Sequence, residues 1–511
     1  MADVPWWRSG VVYQIYPRSF ADSGGDGVGD LEGIRRHLDH LSWLGIDAIW
    51  ISPFFRSPMK DYGYDVADYC DVDPLFGTLD DFDRLLADAH AAGIKVMIDW
   101  VPNHTSDQHP WFVESRASRD NPRADWYVWV DGTPDEPPNN WRCAFTDGPA
   151  WEWVEARQQW YLHLFLPEQP DLNWRNPAVV EAMHGTLRFW LDRGVDGFRI
   201  DVVHGLLKTP GFPDVTDPLD PYLRGTRYDI EGTIDLVRGF RKVLEGYPGD
   251  RAMVGEVYIL STREVARFYG DDDALHMAFN FPPLYAPWEA PRWRARIGRV
   301  IDEIHSKGGW PTWVLSNHDN PRHRTRYGSD ARARAAAVLL LTLRGTPFVY
   351  AGEELGLEDA VVPPERVLDP GGRDGCRAPI PWTGGADHGW GVDDPWLPWP
   401  PAAEARNAEA ERADASSMLH LYRRLLEARH ASPALSVGDV ELLSYGDVDQ
   451  NVLAYRRSID GDERLVLVNF SAQVVDLAAA ADRVIEVASD GIGEGDRYAG
   501  RLLPDQALVL R

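Results

Sequence analysis

Four short segments gather residues able to do acid–base or nucleophilic chemistry. They are Asp99-Trp-Val-Pro-Asn103-His104, Arg199-Ile-Asp201-Val-Val-His204, Gly255-Glu256-Val-Tyr258 and Ser316-Asn317-His318-Asp319-Asn320. Each closes an apolar run, so each set of polar groups sits at the end of a strand. A buried charge is costly without a partner, so four such clusters on one chain point to a shared polar site. Two carboxylates facing a glycosidic bond are what retaining hydrolysis needs: one attacks the anomeric carbon, the other protonates the leaving oxygen and then activates water. Arg199 lies two residues before Asp201, on the same face of a strand, and is expected to hold Asp201 ionised. Glu256 suits the acid, which must keep its proton near neutrality. Asp319 can stabilise oxocarbenium-like charge, and neutral His104 and His318 can donate to hydroxyls.

The elements that would position these groups follow a repeating pattern. Val- and Ile-rich runs at Val11–Tyr16, Asp47–Ile51, Lys95–Trp100, Phe198–Val202, Met253–Val257, His276–Phe281, Thr312–Leu315 and Phe348–Ala351 alternate with helical periodicity. Helices are expected over Leu31–Leu41, Leu79–Ala92, Ala178–Arg193, Ile230–Leu244, Ile297–His305 and Ala331–Leu343. Continuous apolar runs suit strands buried on both faces, joined by parallel crossovers. Eight such units predict an α/β fold of the (β/α)8 TIM-barrel type, whose active sites lie at the C-terminal ends of the strands. No glycine-rich phosphate loop follows the first run, which argues against a dinucleotide-binding sheet.

Two long connections interrupt the repeat. The stretch from Val101 to Trp174 is rich in Pro, Trp, Asp and Asn and reads as a small inserted domain; a second runs from Glu358 to about Pro400. Beyond a last helix near Ser417–Arg429, alternating strands at Asn451–Ser458, Arg464–Phe470, Arg483–Ala488 and Leu502–Leu510 predict a C-terminal antiparallel β domain. The expected organisation is a barrel in two parts, 1–102 and 174–432, with an insert at 103–173 and the β domain at 433–511.

At this point the four segments resemble the signature regions of glycoside hydrolase family 13, the α-amylase superfamily, and more closely its α-glucosidase and oligo-1,6-glucosidase branch. The resemblance runs from Tyr13-Gln-Ile-Tyr-Pro17 through the C-terminal domain. It implies Asp201 as nucleophile, Glu256 as acid/base and Asp319 as transition-state stabiliser, with Asp99, His104, Arg199 and His318 lining the subsite of the cleaved glucose. Asp61 and Tyr64 resemble the pair that grips and stacks that sugar. Arg377 resembles the arginine that closes the pocket with Asp61. Val202, directly after the nucleophile, is expected to touch the leaving sugar, and Val there goes with α-1,6 cleavage in the resembling branch.

Asp22-Ser-Gly24-Gly-Asp26-Gly-Val28-Gly-Asp30 resembles a structural calcium loop of that branch, with Asp22, Asp26 and Asp30 as carboxylate ligands and the Val28 carbonyl as another. Gly24 stands where relatives usually carry Asn or Asp. The resemblance therefore implies an exo-acting α-glucosidase on short gluco-oligosaccharides or α-glucosides. A glucosyl-transferring or isomerising enzyme with the same triad is the alternative, and a non-catalytic transporter subunit a remote one.

Bulk properties limit the partners. The 52 Lys and Arg against 80 Asp and Glu give a net charge of −28, which disfavours nucleic acid and anionic membranes. The 22 Trp suit sugar faces as well as a core. Three cysteines are too few for a disulfide framework, and no secretory or membrane-spanning run is apparent, so a cytoplasmic location is expected.

Overall fold

The computed structural model describes residues 4–146, 148–215, 228–369 and 371–511. Its centre is an eight-stranded parallel sheet: β1 (Val12–Ile15), β2 (Ala48–Ile51), β3 (Lys95–Trp100), β4 (Gly197–Ile200), β5 (Ala252–Gly255), β6 (Met277–Ala278), β7 (Thr312–Val314) and β8 (Thr346–Tyr350). The hydrogen-bonded order is β6-β5-β4-β3-β2-β1-β8-β7, the circular order of a barrel. The remaining seam, between β6 and β7, is bridged by a side chain: Thr312 Oγ1 donates to the Ala278 carbonyl at 2.9 Å. The strands are buried almost throughout, as the continuous apolar runs require.

Helices cover the outside. Leu79–Ala91 buries Phe82, Leu85, Leu86 and Ala89, spaced for one face, and starts from a Thr78/Asp81 capping box. Two expected elements change at their ends for local reasons. The helix expected over Leu31–Leu41 is two, Leu31–Arg36 and Leu38–Leu44, broken at His37, whose ring bonds back to the Gly33 carbonyl. The sixth strand, expected to reach Phe281, ends at Ala278, because Pro282 and Pro283 start a short helix at Phe281 and cannot donate to a ladder.

Between β3 and β4 a small antiparallel sheet pairs Gln159–Leu162 with both Trp129–Asp131 and Trp151–Val154. Its own core contains Trp141, Trp151, Trp160 and Leu162. After the barrel, a five-stranded antiparallel sheet is built from Asp439–Leu443, Val452–Ile459, Asp462–Asn469, Ala507–Leu510 and Ile485–Ala488. The strand expected over Leu502–Leu510 is split where Pro504 precedes Asp505, at φ 49°. No described helix is long and apolar enough to cross a membrane.

Candidate active site

The residues after β3, β4, β5 and β7 converge on a cavity of about 260 Å³ at the C-terminal end of the barrel. Asp61, Tyr64, His104, Asp201, Val202, Glu256, Asp319 and Arg373 are in its wall. Strand pairing sets the spacing: the Asp201 N–H donates to the Trp100 carbonyl at 2.9 Å, and the Glu256 N–H to the Ile200 carbonyl at 2.8 Å. Gly255 is required just before Glu256, since a Cβ there would lie 2.4 Å from Leu275 Cδ1.

Arg199 is the hub of one side. Its Nη1 donates to Asp99 Oδ1 at 2.8 Å and Asp201 Oδ1 at 2.5 Å, and its Nη2 pairs with Glu256 Oε2 at 2.8 Å. Glu256 Oε2 also accepts the Val202 N–H at 3.0 Å. Val202 holds that contact with φ 42°, ψ 38°, a left-handed conformation costly for a β-branched residue. The strained turn thus aims Asp201 and its neighbour's amide at the same point.

Arg199 pairs with Asp201 as expected, but it does not outweigh the burial of that carboxyl. Burial, only partly offset by Arg199 and reinforced by Glu256 and Asp99, pushes the Asp201 carboxyl well above its usual value. Asp99 is pushed up to about 6, by burial first, against Arg199. One guanidinium shared by three carboxylates offsets burial only in part, so Asp201 and Asp99 hold a proton more tightly than free carboxyls do.

Across the cavity stands a second cluster. Arg373 Nη1 donates to Asp319 Oδ1 at 2.8 Å, and Nη2 to Asp61 Oδ1 at 2.8 Å and Asp369 Oδ1 at 2.6 Å. Arg377 lies behind it, fully buried, donating to the His318 carbonyl at 2.8 Å and to Asp319 Oδ1 at 3.2 Å. The arginine that meets Asp61 is therefore Arg373, one turn earlier than the expected Arg377. The turn Asp374–Arg377 points the two side chains to different depths, which spacing along the chain could not decide. Asp319 is held below the usual carboxylate range: burial raises it, but His318, Arg373, Arg377 and Arg199 outweigh burial. Asp369 is likewise lowered, burial being overcome by Arg373 and Arg377, whereas burial keeps Asp61 raised against the same two arginines.

A hydrogen-bonded chain joins the two sides. Gln14 Nε2 donates to His318 Nδ1 at 2.7 Å, which leaves the His318 proton on Nε2, 2.6 Å from Tyr64 Oη. Tyr64 in turn donates to Asp99 Oδ2 at 3.2 Å, as does Trp50 Nε1 at 3.2 Å. Burial lowers His318 to about 3 and His104 to about 4, so both are neutral at pH 7. Gln169, from the inserted segment, reaches Asp61 Oδ2 at 3.0 Å and His104 Nε2 at 3.1 Å. Phe145 and Phe165, also from the insert, line the mouth, and the Arg373 guanidinium lies 4.7 Å over Phe145. Arg373, Asp369, Gln169, Gln14, Trp50 and the two phenylalanines escaped the sequence reading. Arg373 alone had a signal, a second arginine beside Arg377 in a glycine-rich turn.

The Asp22–Asp30 loop is arranged differently from the expected calcium loop. Asp22 accepts the amides of Gly24, Gly25 and Gly27, and Asp26 accepts that of Val28. Asp30 caps the next helix at Gly33 N and takes the Ser23 amide and hydroxyl. No group of three or more His, Cys, Asp or Glu side chains able to hold a metal occurs among the described residues. In this arrangement the donor set does not fit a cation cage, and the chemistry below uses none.

With this geometry in place, comparison with known proteins is decisive. The family described as Alpha amylase, catalytic domain, matches residues 14–438. The chain belongs to the α-amylase family, glycoside hydrolase family 13. It is 44% identical over 503 residues, 92% of this chain and 90% of the relative, to a probable alpha-glucosidase of Rhizobium meliloti (strain 1021). It is 37% identical to an oligo-1,6-glucosidase of Parageobacillus thermoglucosidasius, over 91% of this chain and 90% of that one. A crystal structure of an alpha-glucosyl transfer enzyme, XgtA, superposes with a TM-score of 0.91 at 41% identity, covering 100% of each chain. As an α-amylase-family barrel, the chain places its polar strand ends where such folds carry their active sites.

Proposed function

We propose that this chain is a retaining, exo-acting α-glucosidase that removes glucose from the non-reducing end of short α-linked gluco-oligosaccharides or α-glucosides. The observation that carries the reading is Arg199 gathering Asp99, Asp201 and Glu256 at a cavity walled on the far side by Arg373 and Asp61. Asp201 attacks the anomeric carbon as the bond to the leaving oxygen breaks, and the proton held by Glu256 passes to that oxygen. A water then attacks the same carbon, gives its proton to Glu256 and displaces Asp201, so the α-configuration is kept. Arg199, in contact with both groups, steadies the charge that Asp201 carries when Glu256 acts as the acid. Asp319, kept ionised by Arg373 and Arg377, faces the developing positive charge. Asp61, His104, His318 and Asp99 offer hydroxyl partners, and Tyr64 a flat face.

Product analysis tests the reading. The sugar first released is expected to be the α-anomer, and maltoheptaose is expected to yield glucose and maltohexaose first. A β-product would overturn retention; early maltotriose and maltotetraose would overturn exo-action. Asp201→Asn should abolish turnover even of 4-nitrophenyl α-glucoside, whereas Glu256→Gln should spare that substrate relative to maltose, since only the poorer leaving group needs a proton.

A second reading, glucosyl transfer or isomerisation with the same triad, is supported by the aromatic mouth of Phe145, Phe165 and Tyr258, which disfavours water beside the glucosyl ester. Product identification on maltose, isomaltose, sucrose and trehalose separates it from hydrolysis.

A further inference from the structure

Beyond the glucose cavity the surface continues into a second depression of about 150 Å³, lined by Leu260, Pro282, Tyr285 and Arg296. The two are joined by hydrogen bonds. Tyr258 and Asn320 line the cavity, and Tyr285 Oη donates to Asn320 Oδ1 at 2.7 Å and contacts Tyr258 Oη. Leu260 is 50% exposed and Tyr285 40%, so large apolar side chains stand uncovered beside the cavity. Single exposed apolar residues are ordinary; a set continuous with a catalytic cavity marks a ligand surface.

The charge beside this surface is of the opposite sign to the molecule as a whole. Arg296 comes from the helix Ala290–Glu303, which buries Ala290, Trp293, Ile297 and Val300 and so turns Arg292, Arg296 and Arg299 outward. Arg292 pairs with Glu289 at 3.6 Å. Arg296 has no ion pair or hydrogen bond among the described residues. Burial and then the neighbouring Arg299 and Arg292 lower its pKa, and no carboxylate opposes them. The net −28 is felt only weakly over distances beyond about 10 Å at 0.1 M salt. Within contact range the unpaired guanidinium decides.

We propose that the leaving-group side of the site takes an aromatic aglycone bearing a carboxylate, its ring against Tyr258, Leu260, Pro282 and Tyr285 and its carboxylate on Arg296. The inference rests on the α-glucosidase reading and deepens it. Cleavage is ordinary: the glycosidic bond breaks, the phenolic oxygen takes the proton from Glu256, and water completes the turnover.

The experiment compares kcat/KM for 4-carboxyphenyl α-glucoside and its neutral methyl ester, each normalised to maltose, in the wild type and Arg296→Gln. Taking the ratio between proteins cancels the intrinsic reactivity of the two leaving groups. The carboxylate-to-ester ratio is expected to fall about fivefold in Arg296→Gln, in keeping with a partly exposed ion pair, and to fall in the wild type at high salt. Leu260→Asn is expected to lower both aryl substrates against maltose. An unchanged ratio in Arg296→Gln overturns the proposal while leaving the α-glucosidase reading intact. Failure to cleave maltose and both aryl glucosides overturns that reading instead. In that event, calorimetric binding of the carboxylate and the ester to the wild type and Arg296→Gln still decides whether Arg296 selects the anion.

Discussion

Two arginine–carboxylate clusters face each other across the cavity, built from the same groups in different ratios. Around Arg199 sit three carboxylates, Asp99, Asp201 and Glu256. Around Arg373 and Arg377 sit Asp61, Asp319 and Asp369. The first cluster is short of positive charge, and burial pushes Asp201 and Asp99 up. The second has one more guanidinium, and Asp319 and Asp369 are pulled down. Burial still keeps Asp61 raised, so the contrast lies between Asp201 and Asp319: the first holds its proton more tightly, and the second presents fixed negative charge. Stabilising a cationic transition state needs the second.

The largest effect should come from removing the hubs. Arg199→Gln leaves three carboxylates, two of them buried, without their shared cation and is expected to cut kcat/KM for maltose by roughly 10³-fold, with a stability loss of about 3–5 kcal/mol. Arg373→Gln should lose roughly 10²-fold and raise KM, because Asp61 is released along with Asp319. Arg377→Gln should change KM less than Arg373→Gln, since Asp61 keeps its partner. Steady-state kinetics and thermal melts on the three variants check this. A larger KM effect from Arg377 than from Arg373 would return the pocket-closing role to Arg377.

The tighter proton binding in the first cluster has a stability signature. Asp99 titrates at about 6 in the folded chain, above its unfolded value near 3.9, so the folded form binds the proton more tightly. The stability it contributes is complete below the unfolded pKa and is lost as pH rises through about 6. Asp99→Asn, which still accepts from Tyr64 and Trp50, should therefore melt higher than wild type at pH 8, by on the order of 2 kcal/mol, keep about half of that advantage at pH 5 and lose it below about pH 4. An advantage equal at pH 8 and pH 5 would show that the group is ionised throughout.

Val202 offers a smaller test on the same side. Its side chain lines the cavity while its amide holds Glu256. Isomaltose cleavage is expected in the wild type, and Val202→Ala should shift the isomaltose-to-maltose ratio of kcat/KM toward maltose by a few fold, about 1 kcal/mol. No isomaltose activity, or an unmoved ratio, removes Val202 from linkage selection. The smallest effect concerns the Asp22–Asp30 loop, far from either cluster in role. The family resemblance implies calcium there, whereas the loop's donor set does not fit a cation cage. Its carboxylates already accept backbone amides, so a melt with and without millimolar calcium should differ by about 1 kcal/mol or less. A larger rise that disappears in Asp26→Ala would establish a tightly bound ion.

Much of this was readable in one dimension because barrel strands advertise themselves. Each is a short continuous apolar run, and the polar residue that ends it must lie at the barrel mouth. Asp201, Glu256 and Asp319 were legible for that reason. Gln169, Phe145 and Phe165 were not, since they come from an irregular insert whose folding back over the mouth leaves no periodic trace. The strand Asp439–Leu443 escaped because its alternation is weak and its residues only partly buried.

The order of elements and the identity of the carboxylates were determined by the sequence itself, through local burial patterns that neighbouring residues enforce. Tertiary structure alone decided how charge is shared. Which arginine meets Asp61, how many carboxylates crowd Arg199 and whether Arg296 meets a carboxylate depend on groups brought together from distant strands. Ionisation in a buried site depends on the sum over all those neighbours, and no segment of chain carries that sum.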